Sequence, residues 1–288
     1  MVIMLLSKAI DEFEQYMEGR EYSDSTIRGY LGQMSVFRRW IEGERNGPVY
    51  LDEIELSDLE DFISAQKKQG KEASSRSRTG YIFRSFFKFV ERRELGENPA
   101  KALEPVQPRK KERTYLTEGE MHRVIGEIEK PLIRAATVFL FRTGCRIGEA
   151  TSLELSDLDM ENGIVHIRDG KGGKDRRLAM SSDLKEELEA YLDEVRPDVE
   201  SDFVFATERS GSLSRVYYNS CLKGAVDRAG IDKDITAHCI RHTTAALLVK
   251  KGKDLATVQR ILGHEDLKTT SIYVHSDMTQ VRDALEAI

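Results

Sequence analysis

The sequence predicts a mainly α-helical protein with a small β-sheet, divided into an N-terminal bundle of four helices and a C-terminal α+β domain. Apolar residues recur at helical spacing over most of the 288 residues, whereas the β-branched stretch Ile164–Ile167 departs from that spacing. A proline-containing segment separates the two helical halves. The predicted boundaries are residues 1–98 for the first domain, 99–112 for a linker and 113–288 for the second domain.

The N-terminal half contains four amphipathic helical patterns. Ser7 is placed to cap the first helix, and Ser23 or Ser25 to cap the second. Ser57 is placed to begin the third helix, and Asn98-Pro99 is expected to stop the fourth. The aromatic residues of these helices, including the single tryptophan, have the spacing of a hydrophobic core, which we favour over base-stacking platforms.

The linker is predicted from Pro99, Pro105 and Pro108, each of which removes a backbone donor. Beyond it, Thr117 and Glu120 have the spacing of a capping box at the start of a helix. This pattern marks the first helix of the second domain.

A β-hairpin is predicted in the middle of the second domain. Its strands are Ile164–Ile167 and Arg177–Met180, and Gly170-Lys171-Gly172 lies at its tip. Further helical segments are expected near residues 183–194, 214–229, 236–251, 255–262 and 279–288.

The charge distribution predicts a surface that binds nucleic acid, although the net charge is −6. Between Lys67 and Arg93 there are nine bases and two acids, which is a basic stripe in an acidic protein. A solvated helix face is the alternative interpretation. The predicted DNA contacts are Arg76, Arg78, Arg84, Lys88, Arg109, Lys110, Lys111 and Lys174.

Composition predicts a cytoplasmic protein without a membrane span. The chain is 33% charged and 40% hydrophobic, and no apolar run approaches the roughly 18 residues that cross a bilayer. The three cysteines, Cys145, Cys221 and Cys239, are too few for a disulfide framework and lack the paired spacings of zinc sites.

Six scattered side chains have the chemistry needed to attack a phosphodiester without a metal or cofactor. The transition state of such an attack gathers negative charge, so it needs fixed cations, a nucleophile in line and a proton for the departing oxygen. The candidate set supplies two guanidiniums, an amine, two imidazoles and a phenol. Its members are Arg146, Lys171, His238, Arg241, His264 and Tyr273.

Two alternatives remain open within this set. His238 and His242 have a spacing that can bind zinc on a helix, but the adjacent glutamate of hydrolytic zinc motifs is absent. Lys174 shares the predicted hairpin tip with Lys171 and could take its place.

The blocks Arg146, Lys171, His238-x-x-Arg241, Gly263-His264 and Tyr273 resemble, in order and spacing, the tyrosine recombinase (integrase) family. The resemblance is strongest to Xer-type members, including archaeal ones, and its motifs span roughly residues 116–281. It implies a SAM-like helical bundle that binds DNA, followed by a tyrosine recombinase catalytic domain.

The resemblance also implies a role for each residue. Arg146 and Arg241 would bind oxygens of the phosphate through two hydrogen bonds each. Glu149, one helical turn after Arg146, would orient that arginine. His238 would act as acid and base near the nucleophile, and His264 would donate a hydrogen bond to the phosphate. Lys171 would protonate the leaving 5′ oxygen, and Tyr273 would form a 3′-phosphotyrosyl bond.

The implied function is site-specific recombination of duplex DNA through a Holliday junction, by a homotetramer on DNA that is a monomer or dimer without it. A Xer-like role in chromosome dimer resolution at a dif-type site is favoured, because no additional arm-binding domain is evident in the 288 residues. The alternatives are an integrase or resolvase of a mobile element or plasmid, a type IB topoisomerase and a noncatalytic DNA-binding regulator.

Overall fold

The computed structural model describes residues 4–108, 114–168 and 175–263. The chain forms two compact units, Met1–Lys111 and Glu112–Ile288. Each unit has its own hydrophobic core. The fold is mainly helical with one small sheet, as the sequence predicts.

The first unit is a bundle in which α4 packs against each of the other three long helices. Phenylalanine side chains fill its centre, and the rings of Phe37 and Phe83 lie 4.7 Å apart between centroids. The prediction that the aromatic stripes form a core is therefore confirmed for these residues. The helices are α1 Leu6–Glu18, α2 Asp24–Glu44, α3 Leu56–Lys68 and α4 Ala73–Arg92.

The start of α1 differs from the prediction, whereas the start of α2 agrees with it. The N-cap of α1 is Leu5, and Ser7 lies inside the helix. The backbone N–H of Leu6 donates to the carbonyl of Val49, so pairing with a distant segment fixes where this helix begins. Ser23 caps α2 as predicted, accepting a hydrogen bond from the N–H of Thr26.

The third and fourth helices also depart slightly from the expected limits. Helix α3 begins at Leu56, one residue before Ser57. Helix α4 ends at Arg92, well before the predicted stop at Asn98-Pro99. The cause is Glu94, whose φ of 56° is left-handed and incompatible with continued α-helix.

Part of the predicted linker packs on the first unit. Pro99–Lys101 form a short 3₁₀ helix, and the side chains of Ala100 and Leu103 are buried in the first core. The domain limits given from the sequence stay a prediction, but the structure adds these residues to the N-terminal unit.

The second unit surrounds α6, which contacts each of the neighbouring helices α5, α7, α8, α9 and α10. Thr117 and Glu120 form the predicted capping box of α5. The helices are α5 Glu118–Gly126, α6 Pro131–Thr143, α7 Ile147–Thr151, α8 Ser182–Ala190, α9 Arg215–Arg228, α10 Ala237–Lys250 and α11 Leu255–Leu262.

A three-stranded antiparallel sheet lies between α7 and α8 in the sequence, in the order β1-β2-β3. The strands are β1 Leu158–Asp159, β2 Ile164–Ile167 and β3 Arg176–Ala179. Ile167 pairs with Arg176 at the end of the hairpin. The predicted hairpin is thus confirmed for its strands, while its tip and the helix predicted near residues 279–288 lie outside the described residues.

Within the described ranges, no helix combines the length and the apolar character needed to cross a membrane.

Candidate active site

The turn between α6 and α7 presents the first of the predicted site residues. Helix α6 ends at Gly144, whose φ of 63° is left-handed. A Cβ at this position would lie 2.6 Å from Cδ2 of Leu262, so both the backbone conformation and the packing require glycine. The chain then passes the buried Cys145 and reaches Arg146, the N-cap of α7.

Glu149 holds Arg146 at two points. Its Oε1 accepts a hydrogen bond from Nη1 of Arg146 at 2.8 Å, and its Oε2 accepts one from the backbone N–H of Arg146 at 2.9 Å. The Arg146 side chain is 30% exposed, while that of Glu149 is 6% exposed. Glu149 therefore lies where the sequence predicts a carboxylate that orients Arg146, and the arginine retains access to a ligand.

A second arginine, Arg176, shares the same carboxylate. Its Nη2 lies 2.7 Å from Oε2 of Glu149, and its Nη1 lies 3.2 Å from Oε1. Burial disfavours ionisation of Glu149, but hydrogen bonds from Arg176 and Arg146 outweigh it and hold the pKa of Glu149 at about 2. The carboxylate is therefore ionised at neutral pH.

Arg241 enters the same cluster from α10 and is almost fully buried, with 2% exposure. Its Nη1 donates to the carbonyl of Gly144 at 2.7 Å, and its Nη2 donates to the carbonyl of Leu262 at 2.6 Å. Of the five N–H donors of this guanidinium, these two bonds to described residues use two. Arg241 can therefore bind a phosphate only through N–H groups that do not already donate to these two carbonyls.

The electrostatics of Arg241 reflect this crowded position. Burial, and then the positive charge of Arg146, lower the pKa of Arg241 to about 10. The guanidinium stays protonated at neutral pH. Three guanidiniums, those of Arg146, Arg176 and Arg241, thus lie near a single buried carboxylate, an arrangement that an anionic ligand would stabilise.

His238 lies on the same helix as Arg241, three residues earlier, as the spacing predicts. It is exposed in the first turn of α10, whereas His242 is buried. The two imidazole rings meet edge to face with 4.3 Å between centroids. Among the described residues, no group of three or more His, Cys, Asp or Glu side chains is placed to hold a metal.

Several predicted site residues lie outside the described residues. They are Lys171, Lys174, His264, Tyr273, Arg109, Lys110 and Lys111. The structure therefore brings together Arg146, Glu149, Arg241 and the end of α11, which leads to His264 in the sequence.

The predicted DNA contacts of the first unit fall into two groups on α4. Arg76 donates to the carbonyl of Lys71 at 3.3 Å, and Arg84 donates to the carbonyl of Leu103 at 3.2 Å, so both have roles within the fold. Arg78 and Lys88 are exposed.

Two features beside Arg78 were not singled out by the sequence. The guanidinium of Arg78 lies over Gly29 of α2, where a Cβ would be 2.6 Å from Nη2. Tyr81, included in the predicted aromatic core, is instead 61% exposed on α4.

Arg176 is not among the site residues predicted from the sequence. No spacing signal links it to Glu149, because the two residues are 27 positions apart and on different elements. The pairing of β3 with β2, and the hydrophobic core that the sheet and α7 share, bring them together.

Comparison with protein families gives two matches that together cover most of the chain. Residues 114–280 match the phage integrase family, and residues 10–94 match the phage integrase N-terminal SAM-like domain. A tyrosine recombinase XerD of Oceanobacillus iheyensis is 31% identical over 98% of this chain and 98% of its own length.

Solved structures agree with these matches. A crystal structure of XerA recombinase is 27% identical, covers 98% of both chains and has a TM-score of 0.55. A lambda integrase tetramer bound to a Holliday junction is 20% identical, with 91% of this chain and 78% of that chain covered and a TM-score of 0.74, a likeness of fold.

Proposed function

The chain belongs to the phage integrase family and is a site-specific tyrosine recombinase, and from that premise we propose that it cuts and rejoins duplex DNA through a 3′-phosphotyrosyl bond at Tyr273. The observation that carries the proposal is that Arg146 and Arg241 lie close to the ionised Glu149. Arg241 also holds the end of α11, the helix that precedes His264 in the sequence. Two fixed guanidiniums suit a phosphate diester, whose negative charge grows during attack.

The reaction conserves the energy of the diester. The phenolic oxygen of Tyr273 attacks phosphorus, its proton passes to His238, and the bond from phosphorus to the 5′ oxygen breaks. Lys171 protonates that oxygen, while His264 and the two arginines stabilise the charge on the phosphate. In the second step, a 5′ hydroxyl of another duplex gives its proton to Lys171 and attacks phosphorus, and the bond to Tyr273 breaks as the phenolic oxygen takes its proton back from His238. These steps use neither a metal nor a nucleotide cofactor.

The first unit supplies DNA binding in this proposal. Exposed Arg78 and Lys88 contact phosphates of the duplex, and Arg76 and Arg84 add positive charge on the same helix. Arg109, Lys110, Lys111 and Lys174 remain further predicted DNA contacts from the sequence. Four protomers assemble on two duplexes, and two strands are exchanged at a time. The DNA-bound tetramer of lambda integrase supports this assembly.

We favour a Xer-like role in the cytoplasm, the resolution of chromosome dimers at a dif-type site. The support is the XerD relative, which aligns with the chain over nearly the full length of both. Genome-wide mapping of bound sites tests this role. A single chromosomal site supports it, whereas sites at the ends of a mobile element or on a plasmid point to an integrase or resolvase.

The chemical proposal is tested with a nicked suicide substrate. Duplex DNA selected by the protein from a random library provides the bound sequence. A nick on the 3′ side of the cleaved bond lets the short fragment that carries the new 5′ hydroxyl diffuse away, so that it cannot reverse the attack. We expect a protein–DNA adduct that survives detergent and chelator with the wild-type chain and is absent with Tyr273→Phe. Failure of the wild-type chain to form any adduct on a sequence that it binds would contradict the proposal.

A plasmid with two copies of the selected site separates recombination from simple relaxation. A recombinase deletes or inverts the segment between the sites, whereas a type IB topoisomerase only changes the supercoiling of the plasmid.

A further inference from the structure

Arg176 is a partly buried arginine that is not among the site residues predicted from the sequence. It is the first residue of β3, and its side chain is 11% exposed, whereas Arg177 beside it points to solvent. Burial of a guanidinium is costly unless its donors are paired. The hydrogen-bond partners of the Arg176 guanidinium therefore indicate its role in the fold.

The guanidinium of Arg176 connects three elements that are distant in sequence. It forms a two-point ion pair with Glu149 on α7, at 2.7 and 3.2 Å. Its Nε donates to the carbonyl of Ile261 at the end of α11, at 3.3 Å, and its Nη2 lies 3.5 Å from the sulfur of Cys145. One side chain thus joins β3, α7 and α11.

The contact with α11 occurs at the point where the helix ends. Its last carbonyls lack partners within the helix and carry partial negative charge, which favours cations beside them. Arg176 holds the carbonyl of Ile261, and Arg241 holds the carbonyl of Leu262. Two arginines from different elements therefore fix consecutive carbonyls.

Gly263 shows how closely Arg176 fits this helix end. Its φ is 64°, the left-handed conformation that terminates α11. A Cβ on Gly263 would lie 3.0 Å from Nη1 of Arg176. The guanidinium therefore packs against the backbone that leads directly to His264.

We propose that Arg176 is a positioning residue of the recombinase site, which fixes the Glu149 carboxylate that orients Arg146 and, at the same time, the end of α11 that precedes His264. This inference rests on the proposed function, because it assigns Arg146 and His264 to the phosphate. Arg176 acts through these neighbours and does not itself contact the DNA.

The planar fork of arginine is essential to this role. Lysine keeps the charge but offers a single point, so it cannot hold both oxygens of Glu149 and the carbonyl of Ile261 together. Displacement of a reacting group by about 1 Å can slow a reaction about 100-fold while the ligand still binds. A loss confined to the cleavage step is therefore the signature of a positioning residue.

The experiment compares Arg176→Lys and Arg176→Gln with the full-length wild-type chain on the nicked substrate. Three quantities are measured: the melting temperature, the affinity for the selected duplex and the single-turnover rate of adduct formation. Arg134→Gln is the matched control, because Arg134 forms a similar two-point ion pair with Glu187 on α6 and α8. Arg134 lies nine residues before the end of α6, about 14 Å away along the helix.

We expect Arg176→Lys to bind the duplex within about twofold of wild type and to form the adduct about 10- to 100-fold more slowly. Arg176→Gln is expected to form the adduct more slowly still. Arg134→Gln is expected to match wild type in duplex affinity and in the rate of adduct formation. Once Glu149 has been replaced by glutamine, the additional effect of Arg176→Lys on the rate is expected to become smaller but not to disappear, because the contribution through Glu149 is already lost while the hydrogen bond to Ile261 remains.

An adduct rate of Arg176→Lys and Arg176→Gln within about twofold of wild type would overturn the inference. So would failure of both variants to fold, which would assign Arg176 to stability alone. A proportional loss of DNA affinity would make Arg176 a binding residue and equally contradict the positioning role. Absence of any adduct with the wild-type chain would refute the proposed function itself, which keeps the two failures distinguishable.

Discussion

The charged side chains grouped around Glu149 have hydrogen-bond partners within the described part of the second unit. Arg241 holds two backbone carbonyls, Glu149 holds two arginines, and Arg146 is the most exposed member of this cluster. Charges fixed in this way do not have to reorganise when negative charge develops on a ligand, which is the condition for electrostatic catalysis. Arg146 is therefore the residue whose replacement most directly tests the chemistry.

Arg146→Lys is expected to lower the single-turnover rate of adduct formation by about 100-fold. Lysine keeps the positive charge but lacks the planar fork that binds Glu149 and a phosphate oxygen together. The nicked-substrate assay measures the rate, and thermal unfolding checks that the variant is folded. Arg142→Lys is the matched control, since Arg142 pairs with Asp183 on the surface. Equal rates for Arg146→Lys and wild type would remove Arg146 from the mechanism.

The ionisation of Glu149 predicts how stability depends on pH. Its pKa in the folded chain is about 2, below its ordinary value of 4.5, so ionisation stabilises the fold above pH 4.5. That stabilisation is lost as the pH falls toward about 2. Glu149→Gln is therefore expected to be less stable than wild type at pH 7, and the difference in unfolding free energy to narrow between pH 4.5 and pH 2.

Urea unfolding at a series of pH values measures this difference. Glu120 provides the control, because a hydrogen bond from Lys233 likewise holds its pKa at about 2. For Glu120→Gln, the difference in unfolding free energy from wild type should narrow over the same pH range, but adduct formation at pH 7 should be unchanged. Glu149→Gln should slow adduct formation. A constant stability difference across the acid range would contradict the ion-paired state of Glu149.

Local spacing made some of these contacts predictable and others not. Arg146 and Glu149 lie three residues apart at a helix start, so their contact follows from helical geometry. The same holds for Thr117 and Glu120. The contact between Arg176 and Ile261 spans 85 positions and depends on how strand and helix fold together.

At the level of the elements, the turn from α6 to α7 determines where the two arginines meet. Gly144 ends α6 in a left-handed conformation and accepts the hydrogen bond of Arg241. Gly144→Ala is expected to destabilise the protein by at least about 2 kcal/mol, because a methyl group there meets Leu262 and the φ is unfavourable for alanine. Chemical unfolding measures the loss.

Gly126→Ala is the matched control for this substitution. Gly126 is the last residue of α5, and a Cβ there would meet no heavy atom within 4 Å. We expect it to be neutral or to stabilise the protein by up to about 1 kcal/mol. Equal effects of the two alanines would show that the turn tolerates a side chain.

Helix limits were predictable where a side chain makes the cap and not where distant backbone does. Ser23 caps α2 through its own hydroxyl, a contact that the local sequence contains. Helix α1 begins at Leu6 because the backbone there pairs with Val49 and Leu51, and this pairing outweighs Ser7 as a cap. No local pattern marks that long-range contact.

At the level of the whole molecule, the negative net charge is unfavourable for binding DNA. The chain carries a net charge of −6, yet its proposed substrate is a polyanion. The basic stripe between Lys67 and Arg93 resolves this difference, because Arg78 and Lys88 are exposed on α4 while acidic residues are distributed over the rest of the chain. Binding to DNA should therefore depend on a few charges.

Arg78→Gln and Lys88→Gln are each expected to lower the slope of log affinity against log salt concentration by about 1, because each removes one phosphate contact. Fluorescence anisotropy with the selected duplex at several salt concentrations gives the slope. Lys8→Gln, which removes an exposed charge from α1, should leave it unchanged. An equal change in all three variants would indicate a nonspecific effect of net charge.

We propose above that Tyr273 becomes covalently joined to DNA at a site that contains Arg146 and Arg241. The most direct measurement is mass spectrometry of the trapped adduct after digestion with protease and nuclease. We expect one modified peptide, with a nucleotide attached through its 3′ phosphate to the phenolic oxygen of Tyr273. A nucleotide on any other residue, or one attached through its 5′ phosphate, would contradict it.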